Sequence, residues 1–210
     1  MKNKKIFLIL ITSIFTILPI LIGFLIWDKL PDKIPVHFDI NGIPDRYDNK
    51  LKAIIEGPLI FLLLHLFTIF AINKTPKNNN IGSKMKILSY LFAPVMSISM
   101  AVLTYLFITG FNFNITNLIM ILVSIIIIII GNYLPKCKQN YVVGIKLPWT
   151  LDDEENWYKT HRFAGKIYVF IGIVSLLANL FFKNNSIFII LVLLSTFIII
   201  FYSYINRKEH

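Results

Sequence analysis

Six long apolar stretches divide this sequence, and a polar segment separates each from the next. They cover residues 6–27, 57–72, 87–108, 118–134, 163–182 and 187–205, and residues 51–55 can lengthen the second. An α-helix needs about 20 predominantly apolar residues to cross the hydrocarbon core of a bilayer. The pattern therefore predicts an all-α integral membrane protein, a bundle of six transmembrane helices.

The charged residues are few and lie mainly between the apolar stretches. Of the 210 residues, 56% are hydrophobic and 15% are charged, whereas about a quarter are charged in a soluble domain. The net charge is +10. Because the cations flank apolar runs and form no patch on a soluble face, we expect no direct nucleic-acid partner. The length suits one compact bundle.

The first apolar stretch follows Lys2, Lys4 and Lys5, as the core of a secretory signal peptide would. It is longer than a typical signal-peptide core, and no small-x-small cleavage site follows it. It ends in Trp27, a residue typical of membrane interfaces. We predict a retained first transmembrane helix, kinked at Pro19.

Lysine and arginine are distributed unevenly over the polar segments. With a cytoplasmic N-terminus, the cytoplasmic segments carry 15 of the 21 basic residues and 5 of the 11 acids, so the outer side has no net charge. The positive-inside rule thus predicts a multi-pass plasma-membrane protein with both termini in the cytoplasm. Residues 28–56, the outer segment, then face outward, and residues 135–162, the inner segment, face the cytoplasm.

The outer segment is too rich in proline to form a continuous helix. Its three prolines are Pro31, Pro35 and Pro44. Each biases the preceding residue toward extended backbone, and Asn41-Gly42 is a strong turn dipeptide. We expect an ordered, extended and turned segment on the outer face of the bundle, with the second helix starting near Asn49.

Polar and aromatic side chains suit the outer segment for recognition of something outside the cell. The candidate recognition residues are His37, Phe38, Asn41, Gly42, Asp45, Arg46 and Tyr47. Apolar residues at positions 34, 36, 38 and 40 share one face of the extended stretch. The alternative is an ordered cap that only covers the bundle, and the residues alone leave both interpretations open.

The inner segment opens with basic residues, continues as an extended stretch over 141–148, and then begins a helix. Thr150 fits a helix N-cap with Asp153 at the third position. We predict a helix from about Leu151 that continues into the fifth apolar stretch. Glu155 and Lys159 have the spacing of an ion pair along one helix face.

The inner segment is interpreted as a docking surface for a cytoplasmic protein or as a structural brace. Trp149 and Trp157 are predicted anchors at the inner membrane interface. The candidate docking residues are Gly144, Pro148, Trp149, Thr150, Glu155, Trp157, His161 and Arg162.

The sequence offers no catalytic, cofactor-binding or metal-binding set, and we expect no enzyme activity. Glu154, Glu155 and His161 lack the H-E-x-x-H spacing of a zinc protease. The acids are better explained by the helix dipole, which favours anions in a first turn. Cys137 is the single cysteine, which excludes an intramolecular disulfide, and we expect it to be inert.

Two polar residues fall inside the apolar stretches. His65 lies in the middle of the second, where an ionisable group is a functional candidate. Because no acid or base shares the bilayer with it, a hydrogen bond to a neighbouring helix is the preferred interpretation. Asn179 is predicted to be an interhelical or outer-end polar residue. A small transporter with His65 in its path, or a purely structural membrane protein, is the alternative function.

The two polar segments together resemble known bacterial families. The outer motif is Leu30-Pro31-Asp32-Lys33-Ile34-Pro35-Val36-His37-Phe38 followed by Asn41-Gly42-Ile43-Pro44-Asp45-Arg46-Tyr47, and it resembles an N-terminal domain of unknown function. The inner motif is Gly144-Ile145-Lys146-Leu147-Pro148-Trp149-Thr150 with Glu155, Trp157, Thr160-His161-Arg162-Phe163 and Gly165-Lys166, and it resembles the SdpI family. Asn132 also suits that pattern.

The resemblance implies immunity against a secreted sporulation-delaying peptide toxin of Gram-positive bacteria. It further implies that the protein holds a cytoplasmic repressor at the membrane as a signal of toxin. The expected partners are membrane lipids, a peptide toxin outside and a repressor inside. It also implies two parts, a two-helix unit over residues 1–72 and a four-helix SdpI-like unit over residues 73–210.

Overall fold

The computed structural model describes residues 2–111, 113–182 and 185–207. Its main elements are α1 (Lys2–Leu25), β1 (Lys33–Phe38), β2 (Pro44–Asn49), α2 (Lys50–Lys74), α3 (Ser83–Ile108), α4 (Ile115–Tyr133), α5 (Pro148–Asp152), α6 (Glu154–Phe182) and α7 (Asn185–Ile205). Within the described residues, six helices are long and apolar enough to cross a membrane, namely α1 to α4, α6 and α7. The predicted fold class is confirmed.

The second span includes the residues before position 57 that were expected to lengthen it. α2 begins at Lys50, so residues 50–56, which we assigned to the outer segment, are helical. Asn49 Oδ1 accepts a hydrogen bond from the Lys52 backbone N at 2.9 Å, which caps the first turn. Lys52 then pairs with Glu56 one turn further on, at 3.5 Å. The helix start predicted near Asn49 is confirmed.

The chain forms two compact units. Unit 1 comprises residues up to 71 and residues 86–115, and unit 2 comprises residues 72–85 and residues from 116 onward. The third span therefore groups with the first two, and the Ser97 hydroxyl donates to the Thr16 carbonyl oxygen at 2.7 Å. The resemblance implied a boundary between residues 72 and 73. That boundary stays a prediction, and it differs from the division into compact units, in which residues 86–115 belong to unit 1.

In unit 1 the outer segment forms an antiparallel β-hairpin, where we expected only an extended, turned segment. Strands β1 and β2 pair from Lys33 opposite Asn49 to Phe38 opposite Pro44. Ile34 is buried in a small core with Leu30 and Ile54. The apolar face predicted over residues 34–40 is only partly buried, because the strands are irregular between residues 35 and 38. Two-stranded hairpins are marginal alone, so this core holds the hairpin in place.

In unit 2 the close approach of α4 and α6 depends on glycine. A Cβ built on Gly165 would lie 2.7 Å from the carbonyl oxygen of Gly131 and 2.6 Å from Pro135 Cγ. A Cβ on Gly131 would lie 2.9 Å from the Gly165 carbonyl oxygen. Small residues at such crossings let helix backbones come together, which is how membrane helices gain packing contacts.

The start of the inner helix differs from the prediction. α5 begins at Pro148, so Thr150 is inside the helix and is not its N-cap. The chain then breaks at Asp153, whose Oδ1 accepts a hydrogen bond from the Glu155 backbone N at 2.9 Å. Asp153 therefore caps the start of α6, the role we had given to Thr150. Both residues are good caps, and only the folded backbone decides between them.

The predicted connector 183–186 between the last two spans falls partly outside the described residues. Residues 183 and 184 are not described, α6 ends at Phe182, and α7 begins at Asn185. Lys208 and Glu209, which entered the charge count, are also outside the described part. The α6 and α7 helices pack together in unit 2, where the Phe163 and Tyr202 rings stack with centroids 4.0 Å apart.

Replacing Gly165 with alanine tests the glycine-dependent packing of α4 and α6. We expect Gly165→Ala to lower the free energy of unfolding by about 1–3 kcal/mol, because its Cβ would overlap fixed backbone atoms. Gly57→Ala in α2 is the matched control, since a Cβ there meets nothing within 4 Å. The control should match or exceed the wild type. Denaturation in mixed detergent micelles measures the free energy of unfolding of the two variants and of the wild type. Equal values for Gly165→Ala and Gly57→Ala would contradict the glycine-dependent packing.

Candidate functional site

The turn of the hairpin is closed by one aspartate side chain. Asp39 Oδ1 accepts hydrogen bonds from the backbone N of Asn41 at 2.9 Å and of Ile43 at 2.7 Å. Gly42 has a φ of +83°, a conformation that costs glycine little. The turn predicted at Asn41-Gly42 is confirmed, and the aspartate that closes it was not predicted.

The hairpin tip is also fastened to the end of α3 and to the segment that follows it. The Asn114 side-chain amide donates to the Asn41 carbonyl oxygen at 2.5 Å. The Phe38 ring meets Phe107 edge to face, with centroids 5.1 Å apart. A Cβ on Gly42 would lie 2.5 Å from Asn114 Oδ1, so a side chain there would displace the Asn114 amide. The hairpin is a fixed surface of unit 1.

The exposed side of the hairpin carries several of the predicted recognition residues. His37 Nδ1 lies 2.6 Å from Asp45 Oδ1, and both side chains are about half exposed or more. Tyr47 is 52% exposed, and Arg46 is also exposed. By contrast, Phe38, Asn41 and Gly42 shape the tip through the contacts described above. The predicted recognition residues therefore divide into those that are exposed for contact and those that hold the hairpin tip in place.

Unit 1 also contains an apolar cavity of about 560 Å³ beside the hairpin. Residues of α1, α2, α3 and the hairpin line it, and the charged residues in its lining are Arg46, Asp48 and Glu56. The sequence did not predict this cavity, because its walls come from four separate elements. The only sequence signal was Arg46 itself, which had been selected as a polar group of the outer segment.

The inner segment of unit 2 is organised around a buried asparagine. Asn140 Nδ2 donates to the carbonyl oxygens of Lys138 and Val143, both at 2.9 Å. Its Oδ1 accepts from the backbone N of Val142 at 2.9 Å and of Val143 at 2.8 Å. One side chain thus replaces the hydrogen bonds that regular secondary structure would provide.

A neighbouring glutamine joins the inner segment to residues 72–85 of the same unit. Gln139 Nε2 donates to the carbonyl oxygens of Thr150 at 3.1 Å and Leu151 at 2.8 Å. Lys77 Nζ donates to Gln139 Oε1 at 2.5 Å, and Asn80 Nδ2 donates to the Gln139 carbonyl oxygen at 2.7 Å. Sequence analysis missed Gln139 and Asn140. Two adjacent amides in a basic segment were the available signal.

A stacked Trp157–His161 pair holds the middle of the inner segment against α6. The ring centroids are 3.9 Å apart, and both side chains are buried. Trp157 Nε1 donates to the Cys137 carbonyl oxygen at 2.8 Å. The Ile145 backbone N donates to His161 Nε2 at 3.0 Å, so the imidazole proton sits on Nδ1 and is donated to the Trp157 carbonyl oxygen at 2.8 Å.

Gly144 lets the chain pass over this pair of rings. Its φ is +126°, a conformation that side chains rarely adopt. A Cβ there would collide with His161 Nε2 and would lie 2.9 Å from the Trp157 ring. The motif residues Gly144, Trp157 and His161 are therefore one structural unit.

The short helix α5 is fastened to α7 through Ser203. Trp149 Nε1 donates to Ser203 Oγ at 2.7 Å, and Asn156 Nδ2 donates to the Ser203 carbonyl oxygen at 2.9 Å. Thr150 is buried, accepts from the Leu147 backbone N and donates to the Ile145 carbonyl oxygen, both at 2.9 Å. These bonds fix the inner segment without a metal or disulfide among the described residues.

The predicted docking residues fall into buried and exposed groups. Thr150, Trp157 and His161 are buried, so they shape the inner segment from within. Trp157 was wrongly predicted as an interface anchor, because it is only 1% exposed. The exposed members are Pro148, Glu155 and Arg162, and Gly144 and Trp149 are partly exposed.

The exposed part of α6 carries two short side-chain contacts. Glu155 pairs with Lys159 at 2.8 Å, which confirms the predicted spacing. Arg162 Nη1 donates to the Tyr158 hydroxyl at 3.2 Å.

The described residues contain no group of three His, Cys, Asp or Glu side chains that could hold a metal ion. Burial raises the pKa of the Cys137 thiol, which disfavours the reactive thiolate.

The two polar residues within the spans have different partners. His65 Nε2 lies 2.9 Å from Thr12 Oγ1, which is the hydrogen bond to a neighbouring helix that we preferred. Asn179 Nδ2 donates to the Ser175 carbonyl oxygen at 2.7 Å, within its own helix. In the described part of the chain, this Asn179 contact is therefore intrahelical and gives no support to the interhelical role, while the place of Asn179 in the last turn of α6 agrees with the predicted outer-end position.

Comparison with known proteins matches both segments to families. The SdpI/YfhL protein family matches residues 136–205, which hold most of the inner segment together with α5, α6 and α7. A domain of unknown function (DUF1648) matches residues 14–62, which include the hairpin. Immunity protein SdpI of Bacillus subtilis (strain 168) is 31% identical over 189 residues, covering 88% of this chain and 87% of that protein.

The chain belongs to the SdpI family. Membership and the six candidate spans together make it a multi-pass protein of the plasma membrane. No solved structure matches the chain. In this SdpI family member, several residues of the inner motif form the Trp157–His161 pair or contact it.

Replacing Gly144 with alanine tests the structural role of the inner motif. The strained φ and the collision with His161 should open the inner segment locally, and strain of this kind costs about 1–3 kcal/mol. Cys137, which is buried beside it, should then react with a maleimide roughly tenfold faster or more. Gly82→Ala is the control, because a Cβ there meets nothing within 4 Å. Equal labelling rates in both variants would contradict the assignment.

Proposed function

We propose that this protein is a multi-pass membrane immunity protein that protects its cell from a secreted antimicrobial peptide toxin. The observation that carries the proposal is the 31% identity to Immunity protein SdpI over nearly the full length of both chains. Two family matches, one on each side of the middle of the chain, support a shared architecture as well as a shared motif.

The hairpin is the surface that best suits contact with a toxin outside the cell. It is fixed at its turn by Asp39 and at its tip by Asn114, so little order has to be gained on binding. It presents the aromatic ring of Tyr47, the Arg46 guanidinium and the His37–Asp45 pair. Tyrosine and arginine are enriched among residues that dominate binding energy.

Protection is tested in a toxin-sensitive strain that lacks its own immunity protein and is exposed to a sporulation-delaying peptide toxin. We expect the wild-type chain to restore survival, and Tyr47→Ala to raise the killing fraction roughly tenfold, since one anchor residue is worth more than about 1 kcal/mol. Lys29→Ala, exposed on the same side but outside the hairpin, is the control. Unchanged killing by every cognate toxin candidate would reject immunity, whereas protection by both variants would reject only the hairpin.

We also infer a relay role in which the inner segment recruits a cytoplasmic repressor. The supporting observation is that Pro148, Glu155 and Arg162 are exposed on a backbone held by Asn140 and Gln139. A rigid surface with charged and apolar groups together is typical of a protein-binding site.

A fluorescent fusion of a candidate regulator, a small cytoplasmic helix-turn-helix protein, tests the relay. Arg162→Ala should release the regulator from the membrane, because it removes an exposed cation of the presented surface. Lys166→Ala, also exposed and one turn further along α6, should retain it at the membrane. Equal recruitment by the two variants, with equal protein levels, would exclude Arg162 from the docking surface.

A further inference from the structure

The cavity in unit 1 has the length and lining of a site for an apolar chain. It extends along α3 from Ser97 to Ile108, a rise of about 16 Å for a helix. Half the hydrocarbon core of a bilayer is about 15 Å, so the cavity is as deep as one leaflet. The Ser97 hydroxyl at its deep end is already bonded to the Thr16 carbonyl oxygen.

Among the described residues, the ion pairs beside the cavity leave one cation of its lining, Arg46, without an acidic partner. Asp48 and Glu56 are both within ion-pair distance of Lys52, at 3.1 Å and 3.5 Å. Arg46 lines the cavity and makes no ion pair with any residue in the described part of the chain. A guanidinium with its donors available matches a phosphate well, because both can form two parallel hydrogen bonds.

We propose that this cavity binds one membrane phospholipid, with an acyl chain between α1, α2 and α3 and the phosphate against Arg46. The combination of an apolar slot one leaflet deep and Arg46 as the one cation in its described lining is the chemistry that recognises such a lipid. The proposal does not depend on the immunity function, and it gives the hairpin a second role as the headgroup contact.

A peptide helix fits this space less well than a lipid chain. A helix with its side chains is about 10–12 Å across, and it usually docks in an open groove. The cavity of about 560 Å³ falls in the range of about 300–1,000 Å³ typical of pockets for one small ligand. Its lining is predominantly aliphatic, including Leu18, Ile22, Ile54 and Ile98.

Lipid retention by the purified full-length protein tests the proposal. The wild type is extracted in a mild detergent and washed extensively, and bound phospholipid is counted by native mass spectrometry and by phosphorus assay. We expect about one phospholipid per chain, and a roughly tenfold weaker retention in Arg46→Gln, since a charge-assisted hydrogen bond is lost. Lys33→Gln, which removes the same charge from the same hairpin outside the cavity, should retain lipid like the wild type.

A second variant fills the cavity itself. Gly57 lines it, and a Cβ there meets nothing within 4 Å, so Gly57→Leu should occupy the space and remove the bound lipid. A wild type without bound phospholipid, or equal retention in Arg46→Gln and Lys33→Gln, would overturn the proposal. Added peptide toxin that binds in the same spectra while phospholipid does not would overturn it in favour of a peptide occupant.

Discussion

The absence of water in the bilayer core is the constraint on which the rest of this structure depends. Each backbone N–H and C=O there must be paired within the protein, which restricts the spanning segments to helices. Irregular backbone is then confined to the ends of the spans, where the hairpin and the inner segment lie. Neither segment has regular partners for all of its polar groups. Asp39 supplies them in the hairpin turn, and Asn140 supplies them in the inner segment.

This use of side chains explains why the motif of the inner segment contains such varied residue types. Gly144 gives the backbone a positive φ, His161 accepts the next amide proton, and Trp157 packs beneath both. Removing the Trp157 or His161 side chain leaves a buried backbone group without its partner, which costs about 1–3 kcal/mol. The motif thus specifies the shape of a loop.

The features that the sequence predicted correctly depend on neighbours along the chain. Spans of about 20 apolar residues, the Asn41-Gly42 turn, the helix start at Asn49 and the Glu155–Lys159 pair are all short-range. The features it missed bring distant residues together. Gln139 bonds to Lys77 and to Leu151, and the cavity joins three helices to a hairpin. Thr150 and Asp153 were confused because either can cap a helix, and the break between α5 and α6 is set by packing against Ser203.

Burial also decides where specificity can arise in the inner segment. A partner protein can reach Pro148, Glu155 and Arg162, which are exposed, while Trp157 and His161 are enclosed by their own chain. Substitutions at the enclosed residues change the loop and hence every activity that uses it. Substitutions at the exposed residues leave the backbone bonds of Asn140 and Gln139 intact and change only what the surface contacts. One loop structure can therefore carry different surfaces, and the residues that identify the SdpI family need not be the residues that select a partner.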